Sequence, residues 1–405
     1  MPEKFVAGNR GPGIRSDCYV SLEPEKTGGI DIELNSRVKA LYGDHIKDLA
    51  KGILDFYSLK NVRLCIEDSG SLDFVIASRI EAVVKQMTGT EEEYLPQMIP
   101  QNVYTTEKDR FRFTRLYLPG NNPSLMINAG IHGPDGIILD LEDSVSPGRK
   151  QEAALLVRNA LRQVDFYGSE RMVRINQVPY GLDDLKYVIP HNVNLILIPK
   201  CEIPEHISRI EMEIERLSKI HGIKHKVWLM PIIESALGIE NAFLIASASE
   251  NIVAMAIGLE DFTADLGVRR TMEAKETFFG RTRLVNACKA AGIQAIDSVF
   301  SDVDDISGLM DTVRVSRSLG FEGMGCIHPR QVRVIQDEYK PGGDEIERAA
   351  KIVKAYESAI EQGLGVVALG SKMIDQPVVK RARRIIDLAL DLKIINSDWR
   401  EKYGN

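Results

Sequence analysis

Apolar positions change rhythm along this chain, and the change divides it. Beyond residue 108 come short, nearly continuous apolar runs: RLYLP, GIILDLE, RMVRIN, LILIPK, VWLMPIIE, IVAMAIGLE, QAIDSVF and FEGMGCIHP. Stretches with helical spacing separate them. A strand covered on both faces loses the in–out alternation of a half-exposed one, so such runs predict parallel strands beneath helices. Eight strand–helix units over roughly 220 residues predict an α/β protein built on a TIM (β/α)8 barrel. The barrel is placed at residues 109–335. A doubly wound sheet is the alternative, but no glycine fingerprint follows the first strand.

Residues 1–90 follow a different rhythm. CYVSLEP and GIDIELN alternate as half-buried strands, and SRVKALYGDHIKDLAKGILDFYSL reads as a helix with Ser36 as its N-cap. VRLCIED, LDFVIAS and a last helix complete a small α+β domain. Residues 91–108 are polar, carry prolines and lack a helical period, and so read as a linker. After the barrel, residues 336–405 form a helical extension. DEIERAAKIVKAYESAIEQG is one helix, stopping at Gly363, and a second is entered through Pro377. This tail exceeds what a barrel needs, and reads as a lid or an oligomerisation element.

Composition narrows the function. The chain is 44 % apolar and 27 % charged, with a net charge of −7. A pI near 5.7 does not suggest a nucleic-acid partner. No apolar run approaches the roughly 18 residues of a membrane span. The N-terminal MPEKFVAGNRGPGIRSD lacks the apolar core of a signal peptide. Cys18, Cys65, Cys201, Cys288 and Cys326 lie far apart, without zinc-like spacing. These absences predict a cytoplasmic protein with reduced thiols and no membrane or nucleic-acid partner.

The strand ends carry the chemistry. Buried strands should not finish in acid, because an unpaired charge out of water costs several kcal/mol. Yet one strand finishes at Glu234 and another at Glu260 and Asp261. Asp140, Glu142 and Asp143 follow a third; Arg174 and Asn176, Lys200 and His328 mark three more. Barrel active sites lie at this end of the strands. Converging carboxylates would repel each other unless a cation sat among them. An all-oxygen site with open positions suits Mg2+, and Arg174 and Lys200 would then meet an anionic substrate. Plainer readings stay open. Glu234 could favour the positive end of the next helix, and Asp261 could cap a turn. Arg174 could be a buried partner for Asp140, and His328 a structural histidine. Asp375 could be an N-cap, and KRARR at 380–384 a solvated helix face.

Taken in order, RLYLPGNNPSLM, DGIILDLEDSV, VRINQ, LIPK, PIIESALGI, GLEDFTADLG, GIQAIDSVFSD, IHPRQV and GSKMIDQPV resemble the citrate lyase beta subunit family. That HpcH/HpaI aldolase-like family includes malyl-CoA and citramalyl-CoA lyases. AGNRGPGIRSDCYVSLEP, GIDIELNSRVKALYGDHI and EDSGSLDFVIASRIEAVV resemble the citrate lyase acyl-carrier (gamma) subunit, so the chain looks like a fusion of the two. The resemblance implies a Mg2+-dependent carbon–carbon lyase. It would cleave citryl-CoA, or a citryl-carrier, to an acetyl thioester and the 2-oxo acid oxaloacetate. It implies Glu234 and Asp261 as metal ligands. Arg174 would bind the substrate carboxylate or oxyanion, and Glu142 and Asp143 would hold metal waters. Asp375 would reach a neighbouring subunit of a homotrimer, or an assembly of trimers, to move the α-carbon proton. Substrate contacts are expected from Arg174, Arg115, Lys200, Glu260 and Asp261, with Asp375, Arg174 and Glu142 as the catalytic set.

Two departures bear on the substrate. The carrier family presents its modified serine just before an aspartate pattern, bearing a phosphoribosyl-dephospho-CoA group. Here the context is Ile14-Arg15-Ser16-Asp17, so aligned on Asp17 the serine falls on Arg15. Either Ser16 takes the group in a shifted loop, or the domain carries nothing; the second is preferred. The glycine-rich loop could also cradle free CoA phosphates, although a glycine cluster alone is weak ground for that. Met324 stands where citrate lyase beta subunits tend to show lysine. The alternatives are therefore a malyl-CoA or citramalyl-CoA lyase, or a thioesterase. In a different class stands an acyl-carrier or scaffold subunit, working with an alpha-type transferase subunit.

Overall fold

The structure, a computed structural model, describes residues 3–271, 273–361, 367–369 and 372–403. It divides into two compact units, Met1–Arg333 and Val334–Asn405.

The first unit opens with a four-stranded sheet: β1 (Phe5–Gly8), β2 (Cys18–Pro24), β3 (Ile30–Ser36) and β4 (Val62–Asp68), in the order β1-β2-β4-β3. Helices α1 (Lys39–Phe56) and α2 (Asp73–Thr88) complete the small domain. Ser36 is not the cap of α1. It ends β3, paired with Asp68, and its hydroxyl donates to Asp68 Oδ2 at 2.6 Å. The helix therefore starts later, at Lys39, without a side-chain cap.

The run LDFVIAS is no separate piece: from Asp73 onward it is the start of α2. Its apolar residues face every direction because the helix is enclosed. Every residue from Phe74 to Lys85 is buried, Arg79, Glu81 and Lys85 among them. The barrel helix Lys150–Gln163 packs against it, with Asn159 Nδ2 donating to the Phe74 carbonyl at 3.1 Å. Two neutral charge clusters sit between the small domain and the barrel. In one, Arg79 makes a fork to Asp17, with both bonds at 3.0 Å, and also meets Glu152, which Arg149 binds at 2.6 Å. In the other, Arg158 holds Glu81 at 2.5 Å and Glu93 at 2.8 Å, with Lys85 3.8 Å from Glu81. Buried charges persist only when paired this fully.

Residues 91–108 hold one short 3-10 turn, Pro100–Asn102, and no strand. They are tied to the barrel along their length. Asn102 Nδ2 donates to the Leu161 and Val164 carbonyls, Ile99 N to Arg162 O, and Arg171 Nη2 to Tyr104 O.

The barrel follows, from β5 (Thr114–Pro119), β6 (Gly136–Asp140), β7 (Glu170–Arg174) and β8 (Leu195–Ile198) to β9 (Trp228–Ile233), β10 (Ala254–Ile257), β11 (Gln294–Ile296) and β12 (Met324–Cys326). Every pairing is parallel, in the order β11-β10-β9-β8-β7-β6-β5-β12. One parallel bridge, Asp297 to Met324, brings β11 back to β12. The interior is packed with Ile138, Met172, Leu195, Leu197, Met230, Ile232, Ala254, Ala256 and Ile296, which leaves chemistry only at the strand ends.

In the second unit, helices Gly343–Glu361 and Gln376–Asp391 bury Ile346, Ala349, Val353, Ala382, Ile386 and Ala389, with Trp399. Val367–Leu369 and Lys372–Ile374 pair antiparallel. Gly363, expected to stop the first helix, lies outside the described residues. Pro377 stands in the first turn of the second, and Lys380, Arg381, Arg383 and Arg384 are exposed on it.

Candidate active site

A cavity of about 410 Å3 opens at the C-terminal ends of the strands. Asp140, Arg174, Glu234 and Asp261 all line it, from the ends of β6 and β7, the position just after β9 and the first helical turn after β10. Tyr117, Pro119 and Asp297 line it too.

Arg174 is held as a fork. Its Nε and Nη2 donate to the two Asp140 oxygens at 2.6 and 2.8 Å, and Nη1 lies 2.9 Å from Glu142 Oε2. The guanidinium carbon stands 5.5 Å from the centre of the Tyr117 ring. Burial alone would raise the Asp140 carboxyl, but the hydrogen bonds and charge of Arg174 hold it below the usual range. The reading of Arg174 as a partner for Asp140 and that of a fixed cation at the mouth are thus compatible. Three carboxylate contacts hold this guanidinium in one place.

Lys200 adopts a left-handed backbone, with φ +46. That turn aims its N–H at Glu234 Oε1, 2.8 Å away, and brings Nζ to 3.1 Å from Glu142, 3.6 Å from Asp143 and 3.9 Å from Asp261. Burial would lower its ammonium, but the Glu142 hydrogen bond and the surrounding acids win and raise it. A lysine held charged in this way is the opposite of a Schiff-base nucleophile.

Glu234 is the most perturbed acid at the mouth. Burial, followed by the charges of Asp261 and Glu142, pushes it up to about 8, against the Lys200 N–H and Arg174. Asp261 sits in the first turn of the helix Leu259–Asp265 and is partly open to solvent. Among the described residues no group of three or more His, Cys, Asp or Glu side chains is arranged to hold a metal. Two carboxylates suffice for Mg2+, which keeps several waters and takes the rest of its shell from substrate oxygens. A buried acid raised by a second acid opposite is the environment a cation relieves. Glu234 and Asp261 therefore fit the group.

The other expected residues fall in different places. Glu260 lies at the rim, mostly exposed, with Arg270 at 2.5 Å. Arg115 lies inside the barrel, fully buried, its Nη1 donating toward Met230 Sδ at 3.0 Å while it lines the cavity from below. His328 accepts from the Arg330 N–H at 3.1 Å and does not line the cavity. Asp375, in the second unit, caps its own helix by accepting from Val378 N at 3.2 Å. Ser16 stands half-buried at φ +54, with its N–H donating to Ser69 O at 3.1 Å. Sequence reasoning missed Asp297, a buried cavity acid that pairs with Arg281. An aspartate inside the apolar run QAIDSVF was the signal. Lys150, donating to the Leu141 and Glu142 carbonyls at 2.8 and 2.6 Å, was missed as well.

Residues 114–329 match the family described as HpcH/HpaI aldolase/citrate lyase, and residues 7–87 match the ACP family described as malonate decarboxylase delta subunit (MdcD). The citrate lyase subunit beta of Leuconostoc mesenteroides subsp. cremoris is 36 % identical over 293 residues, covering 72 % of this chain and 97 % of that protein. The mitochondrial citramalyl-CoA lyase of Homo sapiens is 30 % identical over 290 residues, covering 69 % of this chain and 85 % of that one. Among solved structures, CitE from Mycobacterium tuberculosis, in complex with magnesium, acetoacetate and coenzyme A, aligns with a TM-score of 0.59. That match has 26 % identity and covers 70 % of this chain and 99 % of that one.

Proposed function

The chain belongs to the HpcH/HpaI aldolase/citrate lyase family, and from that premise we propose that it is a Mg2+-dependent carbon–carbon lyase acting on a 3-hydroxyacyl thioester. The products are an acetyl thioester and a 2-oxo acid, with citryl thioester and oxaloacetate as the leading pair. The observation that carries this reading is one cavity holding the Glu234–Asp261 pair together with the forked Arg174.

Cleavage leaves an enolate, so the site must stabilise negative charge that is absent from the substrate. Glu234 and Asp261 would hold the metal, which when bound would supply a Lewis acid for the oxygen that becomes the 2-oxo carbonyl. Arg174 is pre-aligned by Asp140 and Glu142, so it meets a carboxylate or developing oxyanion without reorganising. Lys200 adds a second positive charge and ties Glu142, Asp143 and Asp261 to one point. Glu142 and Asp143 orient waters at that point. Arg115 and Glu260 bound the substrate from the barrel interior and the rim. Asp375 is the residue for the α-carbon proton, supplied across a homotrimer or an assembly of trimers. Five free cysteines fit a reducing, cytoplasmic compartment, and no helix among the described residues is long and apolar enough to cross a membrane.

The test is to offer citryl-CoA, citramalyl-CoA and malyl-CoA in parallel to the purified protein with Mg2+, measuring the 2-oxo acid. EDTA-sensitive cleavage, fastest for citryl-CoA, is expected. A preference for citramalyl-CoA or malyl-CoA would reassign the acid; Met324, buried and uncharged in β12, makes that the second reading. Failure with all three would favour a carrier bearing its group on Ser16, or a scaffold serving an alpha-type transferase subunit.

A further inference from the structure

A second cavity, of about 240 Å3, lies where the loop between β1 and β2 meets the loop after β5. Asn9, Gly13, Ile14, Arg15 and Asp17 line one side; Asn121, Asn122 and Ser124 line the other. This is the loop in which the carrier resemblance places a modified serine. Arg15 faces the cavity, whereas Ser16 is not among its lining residues.

The loop is fixed against the barrel. Asn9 Nδ2 donates to Asp17 Oδ2 at 2.7 Å and toward Asn121 O at 3.4 Å, and Arg149 Nη1 donates to Asn9 Oδ1 at 2.6 Å. Arg37 donates to the Ile14 carbonyl at 3.3 Å. The charge is unbalanced in one direction. Asp17 is 2 % exposed, and both its oxygens are taken by Arg79, the Cys18 N–H and Asn9. Arg15 is exposed, and among the described residues it has no ion-pair or hydrogen-bond partner. Arg10, its neighbour, is occupied elsewhere, on Glu67 and over the Tyr19 ring. Gly11 and Gly13 leave open space beside the backbone.

The cavity is also adjacent to the catalytic mouth. Pro119 lines the mouth and Asn121 lines this cavity. Two residues of chain span at most about 7 Å, well within the reach of a pantetheine arm.

We propose that this cavity binds the phosphorylated-ribose end of a free CoA thioester, with Arg15 meeting its phosphate. The proposal rests on the thioester reading above and deepens it: the fused domain recognises the substrate in place instead of carrying it covalently. The cavity is sized for a phosphorylated ribose, not for a whole cofactor. A guanidinium suits phosphate, and asparagine amides and glycine N–H groups suit its remaining oxygens.

The experiment uses the full chain. Intact mass is measured first, and then adenosine 3′,5′-bisphosphate binding by calorimetry for the natural protein, Arg15→Ala and Arg10→Ala. Kinetics follow on the acyl-CoA and on the same acyl group carried by pantetheine, which lacks the nucleotide. Binding by the natural protein is expected, weakened about ten-fold or more by Arg15→Ala and less than two-fold by Arg10→Ala. The KM for acyl-CoA should rise by a similar factor in Arg15→Ala, with kcat and the pantetheine KM unchanged. The proposal falls if the bisphosphate does not bind, if both arginine variants behave alike, or if intact mass shows a nucleotide-containing group on Ser16. Arg15-dependent binding without cleavage of any thioester would sustain the cavity and refute the lyase reading alone.

Discussion

Gly258 lies against the carboxylate of Glu234: a Cβ at position 258 would stand 2.3 Å from Glu234 Oε2 and 2.9 Å from its Cβ. The end of β10 can approach the end of β9 this closely only without a side chain. Gly258→Ala must therefore push the Glu234 carboxylate aside, although the backbone there, at φ −105, accepts alanine. Under the proposed role of Glu234 as a metal ligand, which tolerates only small displacements, activity should fall about 100-fold or more. Circular dichroism should be unchanged, while the Mg2+-linked rise in melting temperature should shrink. A variant with natural activity would show that Glu234 is not held by this contact.

Arg174 and Asp140 form a two-bond fork that lysine cannot reproduce. Arg174→Lys keeps the charge and loses the alignment. We expect kcat/KM to drop about 100-fold, with stability little changed. Arg174→Met leaves Asp140, 2 % exposed, without its partner. That variant should lose about 3–5 kcal/mol in urea unfolding. Equal stability of the two variants would contradict the pairing.

Glu234 should make the metal-free protein sensitive to alkali. Its folded value, pushed up to about 8, lies above that of an exposed glutamate. The protonated acid is therefore the form the metal-free fold favours. Its contribution is complete below about pH 4.3 and is lost as pH rises to 8. At pH 8.5, with EDTA, Glu234→Gln should melt higher than the natural protein. Adding Mg2+ should raise the melting temperature of the natural protein and leave the variant where it was. A lower melting point for the metal-free variant would argue against this penalty.

His191 predicts the opposite slope on the acid side. Burial, with Arg158 and Arg162 nearby, pushes its imidazolium down to about 3. Its Nδ1 faces Arg162 Nη1 at 3.1 Å, so the folded ring stays neutral and accepts. The unfolded chain takes up that proton below about pH 6.5, so stability falls from there toward pH 3. His191→Gln should flatten this part of the urea stability profile by a few kcal/mol. An unchanged slope between pH 6.5 and 4.5 would sink the assignment.

The barrel strands were legible because burial on both faces writes them as unbroken apolar runs, several of them ending in a residue that lines the mouth, such as Asp140, Arg174 and Glu234. Where burial came from a partner element, the pattern misled. LDFVIAS carries no helical face because α2 is covered by its own sheet and by the Lys150–Gln163 helix. Arg79, Glu81 and Arg158 look like ordinary surface charges in sequence, yet all are fully buried. The site shows the same limit. Glu234 and Asp261 stood out as acids at strand ends. Asp297 did not, because Arg281, its partner, comes from another element. Residues 91–108 read as a linker from composition, and only their bonds to Leu161, Val164 and Arg162 reveal a strap.

The charge clusters around Arg79 and Arg158 also have a historical consequence. Two genes encoding a carrier and a barrel can be joined and parted freely while their products meet through water-covered surfaces. Here the two folds share buried ion pairs, Arg79 of one with Glu152 of the other and Glu81 with Arg158, beside the partners each charge has on its own side. Splitting the gene would break both cross-junction pairs and open a buried charged surface to water, so parting the two folds carries a cost that a wet interface would not impose.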